Sequence, residues 1–316
     1  MRRSDLATLA MLVLVVMGTA LYQPRFLGAD SFSGILLWLP LLLMLGLGQL
    51  PVIVTRGIDV SVGSIVGVSA MVVGMTYRAQ SGMPILVALA EGGMVGLLLG
   101  AINAAAVAWG RVPPIVATLG TLSAYRGLTF VVSGGKQVDS NDLPDSLTRF
   151  ATDGPFHLGS VTFPWMLLLA LVFAALAAIC LRGTRGGRDI YALGNNPEAA
   201  RLRGVPVLRT LFSVYAASGV LAGITGVLYA SRYGFVNPAT AGAGLELSVI
   251  AAVVIGGTKV TGGSGSVLGV LLGCLLLGTI NQALAVMGIA ATWQGLAYGI
   301  VILVALLVGR AVEGRK

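Results

Sequence analysis

The chain has 316 residues, 56% of them hydrophobic and only 10% charged, with 45 glycines and a mean hydropathy of +0.93; water-soluble domains carry about 25% charge and about 7% glycine. No stretch is polar enough to form a separate soluble core, so residues 1–316 read as one membrane-embedded domain. The net charge of +8 falls mainly in the gaps between apolar runs, where it orients a chain in a bilayer and gives no reason to expect nucleic acid.

Apolar runs of about 17–25 residues mark spans. They predict an all-α polytopic protein with ten spans, near 6–22, 34–54, 62–77, 84–109, 112–132, 163–181, 210–231, 245–257, 266–288 and 291–309. The first run follows Arg2 and Arg3 and ends on small residues, as a secretory leader does, but it also serves as an uncleaved first span. The runs at 62–77 and 245–257 are short for an upright crossing, so both are expected to be partly broken or re-entrant. Residues 133–162 hold four aspartates against Lys136 and Arg149, and predict an external loop. Residues 182–209 hold six arginines against Asp189 and Glu198, and predict a cytoplasmic one. Arg2 and Arg3 at one end, and Arg310, Arg315 and Lys316 at the other, put both termini in the cytoplasm, consistent with ten spans.

Gly100-Ala-Ile-Asn103 in the fourth predicted span resembles Gly278-Thr-Ile-Asn281 in the ninth, 178 positions on. These spans run in opposite directions, which predicts a 5+5 inverted repeat, a common transporter architecture. A second likeness, Gly63-Ser-Ile-Val-Gly67 with Gly265-Ser-Val-Leu-Gly269, has an offset of 202 and does not fit the same repeat. Gly92, Gly96 and Gly100 recur every four residues, as do Gly265, Gly269 and Gly273, giving flat faces for close helix packing or for sliding.

Within the arginine-rich gap, Asn196 suits a helix N-cap, Pro197 the first position, and Glu198 the positive end of the dipole. Ala199, Ala200, Arg201, Leu202 and Arg203 continue the helix and Gly204 stops it. A helix of about two turns is marginal alone in water, so it rests either on anionic headgroups or on another protein.

Polar groups inside spans are costly and mark candidate pathways. Asn103, Thr118, Thr121, Asn281 and Gln282 offer hydrogen bonds to a hydroxylated solute and Trp293 or Tyr298 an apolar face; helix–helix hydrogen bonding is the competing role. Glu91 is expected either to reach the outer headgroups or to face a wet cavity, and Arg126 to snorkel outward. Asp59 is expected to accept backbone hydrogen bonds at the Gly57 turn that starts the third span. Cys180 and Cys274 sit in apolar runs and His157 is the lone histidine, so no disulfide framework, metal or other cofactor is expected.

Three stretches, in order, carry a resemblance over nearly the whole chain to the permease subunits of bacterial ABC importers of the ribose/xylose/arabinose type. They are ThrArgGlyIleAspValSerValGlySer at 55–64, GlyArgAspIleTyrAlaLeuGlyAsnAsnProGluAlaAlaArgLeuArgGlyVal at 187–205, and GlyLeuGluLeuSerValIleAlaAlaValValIleGlyGly at 244–257 with ThrGlyGlySerGlySer at 261–266. Gly57, Asp59, Ser61, Gly63 and Ser64, with Gly262, Gly263 and Gly265, are the motif positions. Arg56 stands where the family usually has glycine; with TyrArgGly at 125–127 and GlyGlyLys at 134–136 it is similar to the autoinducer-2 branch.

The resemblance implies that 196–204 is a coupling helix docking on a separate cytoplasmic ATP-binding subunit. It also implies an external solute-binding protein, a second permease copy or sister permease in the bacterial inner membrane, and a monosaccharide or similar polyol-like solute such as rhamnose, ribose or autoinducer-2. The chain holds no phosphate-binding loop, since its one Gly-Lys pair, Gly135-Lys136, is followed by Gln137. An ion-coupled secondary transporter is the alternative, and would want mid-membrane carboxylates where only Glu91 is in contention. A membrane enzyme finds no nucleophile, base and orienting partner at suggestive spacings.

Overall fold

The computed structural model describes residues 3–289 together with 293, 295, 296, 299, 300 and 303. Twelve helices are named here: α1 Arg3–Tyr22, α2 Ala29–Val54, α3 Val62–Ala79, α4 Ile85–Ala108, α5 Pro114–Ser133, α6 Asp145–Thr152, α7 Trp165–Gly183, α8 Arg185–Asn195, α9 Pro197–Leu202, α10 Val207–Tyr233, α11 Leu245–Ile255 and α12 Val267–Val286. Eight of them, among the described residues, are long and apolar enough to cross a membrane, so the protein is a polytopic α-helical membrane protein. The tenth predicted span, with Tyr298, Arg310, Arg315 and Lys316, lies largely outside the described residues; Trp293 within it is helical and exposed.

The bundle is built around α2, α3 and α10. Of the most apolar window of α2, 83% is buried inside the protein, against 17% for α1 and α5, whose leucines and valines face outward as lipid-facing side chains do. α4 lies flat on α10 because Gly92, Gly96 and Gly100 meet Gly219 and Gly223. A Cβ on Gly96 would come within 2.7 Å of Gly223 Cα, so backbone touches backbone along the seam. The second glycine series does the same elsewhere: Gly269 and Gly273 of α12 pack on Gly256 and Ala252 at the end of α11.

Helix boundaries repeat at the offset seen in the sequence. α2 starts at 29 and α10 at 207, and α4 ends at 108 and α12 at 286, each pair 178 positions apart. Neighbours exchange as well: α3 and α4 pack on α10, while α11 and α12 pack on α2.

One of the two expected interruptions is absent. α3 is an unbroken helix of 18 residues, whereas its counterpart is unwound over 235–244 and only then forms the 11-residue α11. The 133–162 segment is also more ordered than a loop. It holds α6, whose Leu147 and Ala151 are buried, and a hairpin of β1 (Phe156–Leu158) and β2 (Val161–Phe163). His157 Nδ1 meets Thr162 Oγ1 across that hairpin.

Candidate functional site

The three stretches that carry the resemblance converge at the end of the bundle that bears the arginines. α2 closes with a Schellman motif: the Gly57 N–H bonds the Val52 carbonyl and the Arg56 N–H bonds the Ile53 carbonyl, both at 2.9 Å. Arg56 takes the left-handed position of that motif (φ +68°), a conformation that costs a non-glycine residue about 1–2 kcal/mol. Its guanidinium donates from Nε to the carbonyl of Gly194 (2.7 Å) and from Nη2 to that of Asn195 (2.8 Å), the last two residues of α8. The Gly263 N–H donates to the Val54 carbonyl at 2.9 Å, and Tyr191 Oη donates to the Gly265 carbonyl at 3.1 Å. Side chains at Gly194, Gly262 or Gly263 would run into Val54 O, Arg56 or Asn195, so the joint closes only on glycine.

α9 follows directly. Asn196 Oδ1 accepts from the N–H groups of Glu198 and Ala199, each at 3.1 Å, and Gly204 ends the turn at φ +81°, as the sequence implied. α8 ahead of it is a helix the sequence reading missed; Thr184 caps it by accepting from the Gly187 N–H at 3.0 Å. Ala200 is 2% exposed and faces its own chain, so that residue is not open to a partner. The open face carries Glu198, Arg201, Leu202 and Arg203, with Leu202 89% exposed.

Just inside the joint lies a buried polar turn. Asp59 Oδ1 accepts from the Ser61 N–H (3.0 Å) and hydroxyl (2.6 Å), and Ser218 of α10 donates to Oδ2 at 3.4 Å. The Gln49 amide faces the backbone N–H and carbonyl of Asp59 at 3.1 and 3.3 Å. Asn103 Nδ2 donates to Ser61 Oγ at 2.7 Å, and Tyr125 Oη bridges to Asn103 Oδ1 and the Leu99 carbonyl. Thr118 donates to the Ile58 carbonyl (3.1 Å) and accepts from the Val60 N–H (3.3 Å), and Ser64 donates to the Ser61 carbonyl. Asn103 and Thr118 are fully buried, and their polar atoms serve this turn.

The other sequence candidates are dispersed. Thr121 is half-buried on α5, one turn from Thr118; Asn281 and Gln282 are half-buried on α12, where the Gln282 amide lies over Gly34 of α2. Arg126 does not snorkel: its Nη1 donates to the Ala241 carbonyl at 2.6 Å, turning the charge onto the unwound segment. Glu91 does not reach for headgroups either, because Oε1 accepts from Thr76 of α3 at 2.7 Å and Oε2 is buried without a hydrogen bond. At the far end, Arg78 pairs with Asp142 (2.6 Å), and this hydrogen bond holds the Asp142 carboxyl below its ordinary pKa.

The sequence expects a break in 245–257 but misses its place, in 235–244 ahead of α11, although a signal for it lies in the glycines of α3. Gly67 lets the Ala241 carbonyl approach to within 2.8 Å of where a Cβ would stand, and Gly63 receives Gly242. Ala239, Thr240, Ala243 and Gly244 are exposed in the single chain. Irregular backbone at membrane depth persists only where protein covers it or water reaches it.

Residues 31–306 match the family model described as branched-chain amino acid transport system / permease component. Similar curated proteins are the autoinducer 2 import system permease proteins LsrC of Photorhabdus luminescens, Yersinia enterocolitica and Escherichia coli. The first is 38% identical over 84% of this chain and 78% of its own length, the second 36% over 95% and 81%, and the third 36% over 96% and 86%. No solved structure matches. With its helical bundle, glycine-packed seams and a family match spanning nearly its whole length, the chain belongs to the branched-chain amino acid transport system permease family.

Proposed function

We propose that this chain is the translocation subunit of an ATP-driven bacterial importer, worked by a separate cytoplasmic ATP-binding subunit that docks on α9. The observation that carries the reading is the open face of α9, where Leu202 stands 89% exposed on a helix capped by Asn196 and backed by α8. A single exposed leucine is ordinary on a protein surface, but this one shares the open face of a short, capped helix with Glu198, Arg201 and Arg203, and that mixed face suits a protein groove. The relatives are named for autoinducer 2 import, and the solute in this reading is autoinducer-2 or a similar polyol-like sugar such as ribose or rhamnose.

The arginine-bearing end is the cytoplasmic one in this reading, with both termini inside and ten spans. A 5+5 inverted repeat is supported by helix boundaries that recur 178 positions apart and by the exchange of neighbours between the two sets. The unwound segment beside α5 cannot face lipid, so we assign the solute path and the contact with a second permease, identical or sister, to that face. Arg126 and Thr240 offer polar groups there, and we add Thr121 of α5 as a pathway candidate. In this reading Asn103 and Thr118 support the path indirectly, by fixing the 57–61 turn, and Asn281, Gln282 and Trp293 take no part in it. A solute-binding protein would dock at the opposite, aspartate-bearing end.

Leu202→Lys tests the reading. It adds positive charge, so a helix lying on anionic headgroups keeps or gains its hold. A helix seated in a groove loses a buried leucine worth about 1.5–3 kcal/mol, or roughly ten- to hundredfold in affinity. Co-purification of the ATP-binding subunit is expected to fall by that factor while the permease inserts at normal levels. Undiminished co-purification would refute docking through α9.

A further inference from the structure

We infer that Arg56 is the positioning residue that ties movement of α9 to the buried 57–61 turn, and thereby links ATP hydrolysis to solute movement. This rests on the reading of α9 as the face that meets the ATP-binding subunit. The geometry is a short mechanical chain. The Arg56 guanidinium grips the carbonyls of Gly194 and Asn195, and the next residue, Asn196, is the cap from which α9 starts. Its backbone belongs to the closure of α2, one residue before Gly57 and three before Asp59, where the chain passes into the core. From Asp59 the hydrogen bonds continue through Ser61 to Asn103 of α4 and Tyr125 of α5, and through Ser218 to α10. Through the Arg56 side chain a displacement of α9 is passed to α2 and onward to α4, α5 and α10.

Two features separate this role from ordinary packing. First, the left-handed backbone at Arg56 is unfavourable for any residue with a Cβ and natural for glycine, so local stability alone does not explain an arginine here. Second, the planar fork spans two successive carbonyls at the C-terminal end of α8, where cations are favoured and where a lysine reaches only one. Fold maintenance is spread over glycine contacts and the Gly263–Val54 and Tyr191–Gly265 bonds, which remain when the guanidinium is removed.

The test uses the full complex in proteoliposomes, with the ATP-binding subunit and the solute-binding protein, and autoinducer-2 as probe. Arg56→Gly relieves the backbone and deletes the fork. Insertion, assembly and hydrolysis without solute should match wild type, while solute moved per ATP hydrolysed falls about tenfold, the loss expected of a charge-assisted hydrogen-bonded pair. Arg56→Lys should recover part of the ratio. An unchanged ratio in Arg56→Gly, whether both rates hold or both fall together, overturns the proposal. Should Arg56→Gly fail to assemble, Arg56→Lys carries the same test, and an unchanged ratio there overturns it equally. A wild-type complex that hydrolyses ATP without any solute movement would instead refute the transporter reading itself, and this inference with it.

Discussion

α3 and α11 occupy corresponding places 178 positions apart, yet one is a continuous helix and the other begins five residues late. The difference lies in where each finds partners for its backbone. The start of α3 is gathered mainly by neighbouring side chains: Asp59 takes the Ser61 N–H, Asn103 of α4 and Thr118 of α5 close round the turn, and Ser218 of α10 reaches Asp59. The corresponding turn begins in the same way, with Asn237 Oδ1 accepting from the Ala239 N–H at 2.9 Å, but the residues beyond it unwind. Its Ala241 carbonyl is taken by Arg126, and Gly242 is pressed on Gly63 of the other half. Of two segments 178 positions apart, one is thus closed and the other open, and the open one is held by Arg126 of α5 and Gly63 of α3.

Matched substitutions sharpen that contrast. The largest effect is expected at position 242, equivalent to 64. Gly242→Val forces a β-branched residue to φ +70° and drives its side chain into Gly63, so a loss above about 4 kcal/mol is expected, seen as failure to recover monodisperse protein. Ser64→Ala removes one hydroxyl bonded to the Ser61 carbonyl and should cost about 1 kcal/mol by thermal melting. Equal losses at the two sites would mean that the halves are not built differently.

A smaller contrast is expected at 59 and 237. Asp59→Ala strands the buried Ser61 N–H and hydroxyl, with an expected loss of about 2–4 kcal/mol. Asn237→Ala removes a half-exposed turn bond and the bond to Gln137 Oε1, for about 1 kcal/mol. Denaturant or thermal unfolding in detergent reads both, and the reverse order would break the comparison.

Much of this was legible in the sequence. The apolar runs located nine helices to within a few residues, and the Asn103–Asn281 match supplied the offset that the helix boundaries later repeated. The Asn-Pro-Glu signal placed α9, because capping is local chemistry. What escaped had no local signature. α8 is too polar to register as a span and too short to stand without its tertiary neighbours, and α6 gains its apolar face only by packing Leu147 and Ala151 against α7 and α10. Position alone sends Arg126 and Glu91 outward, and the resemblance does the same for Ala200 within 196–204, whereas Ala241, Thr76 and the chain's own fold turn them inward. For Asn103 and Thr118 the sequence leaves solute contact and internal hydrogen bonding both open, because a polar residue in a span looks the same whether its partner is a sugar or a turn.

The most direct test of the account is uptake by the wild-type chain in sealed proteoliposomes containing the solute-binding protein, with and without the ATP-binding subunit and ATP. The account predicts accumulation of autoinducer-2 or a similar polyol against its gradient only when both are supplied, and none under an imposed proton or sodium gradient. Uphill uptake driven by an ion gradient in the absence of the ATP-binding subunit would contradict it.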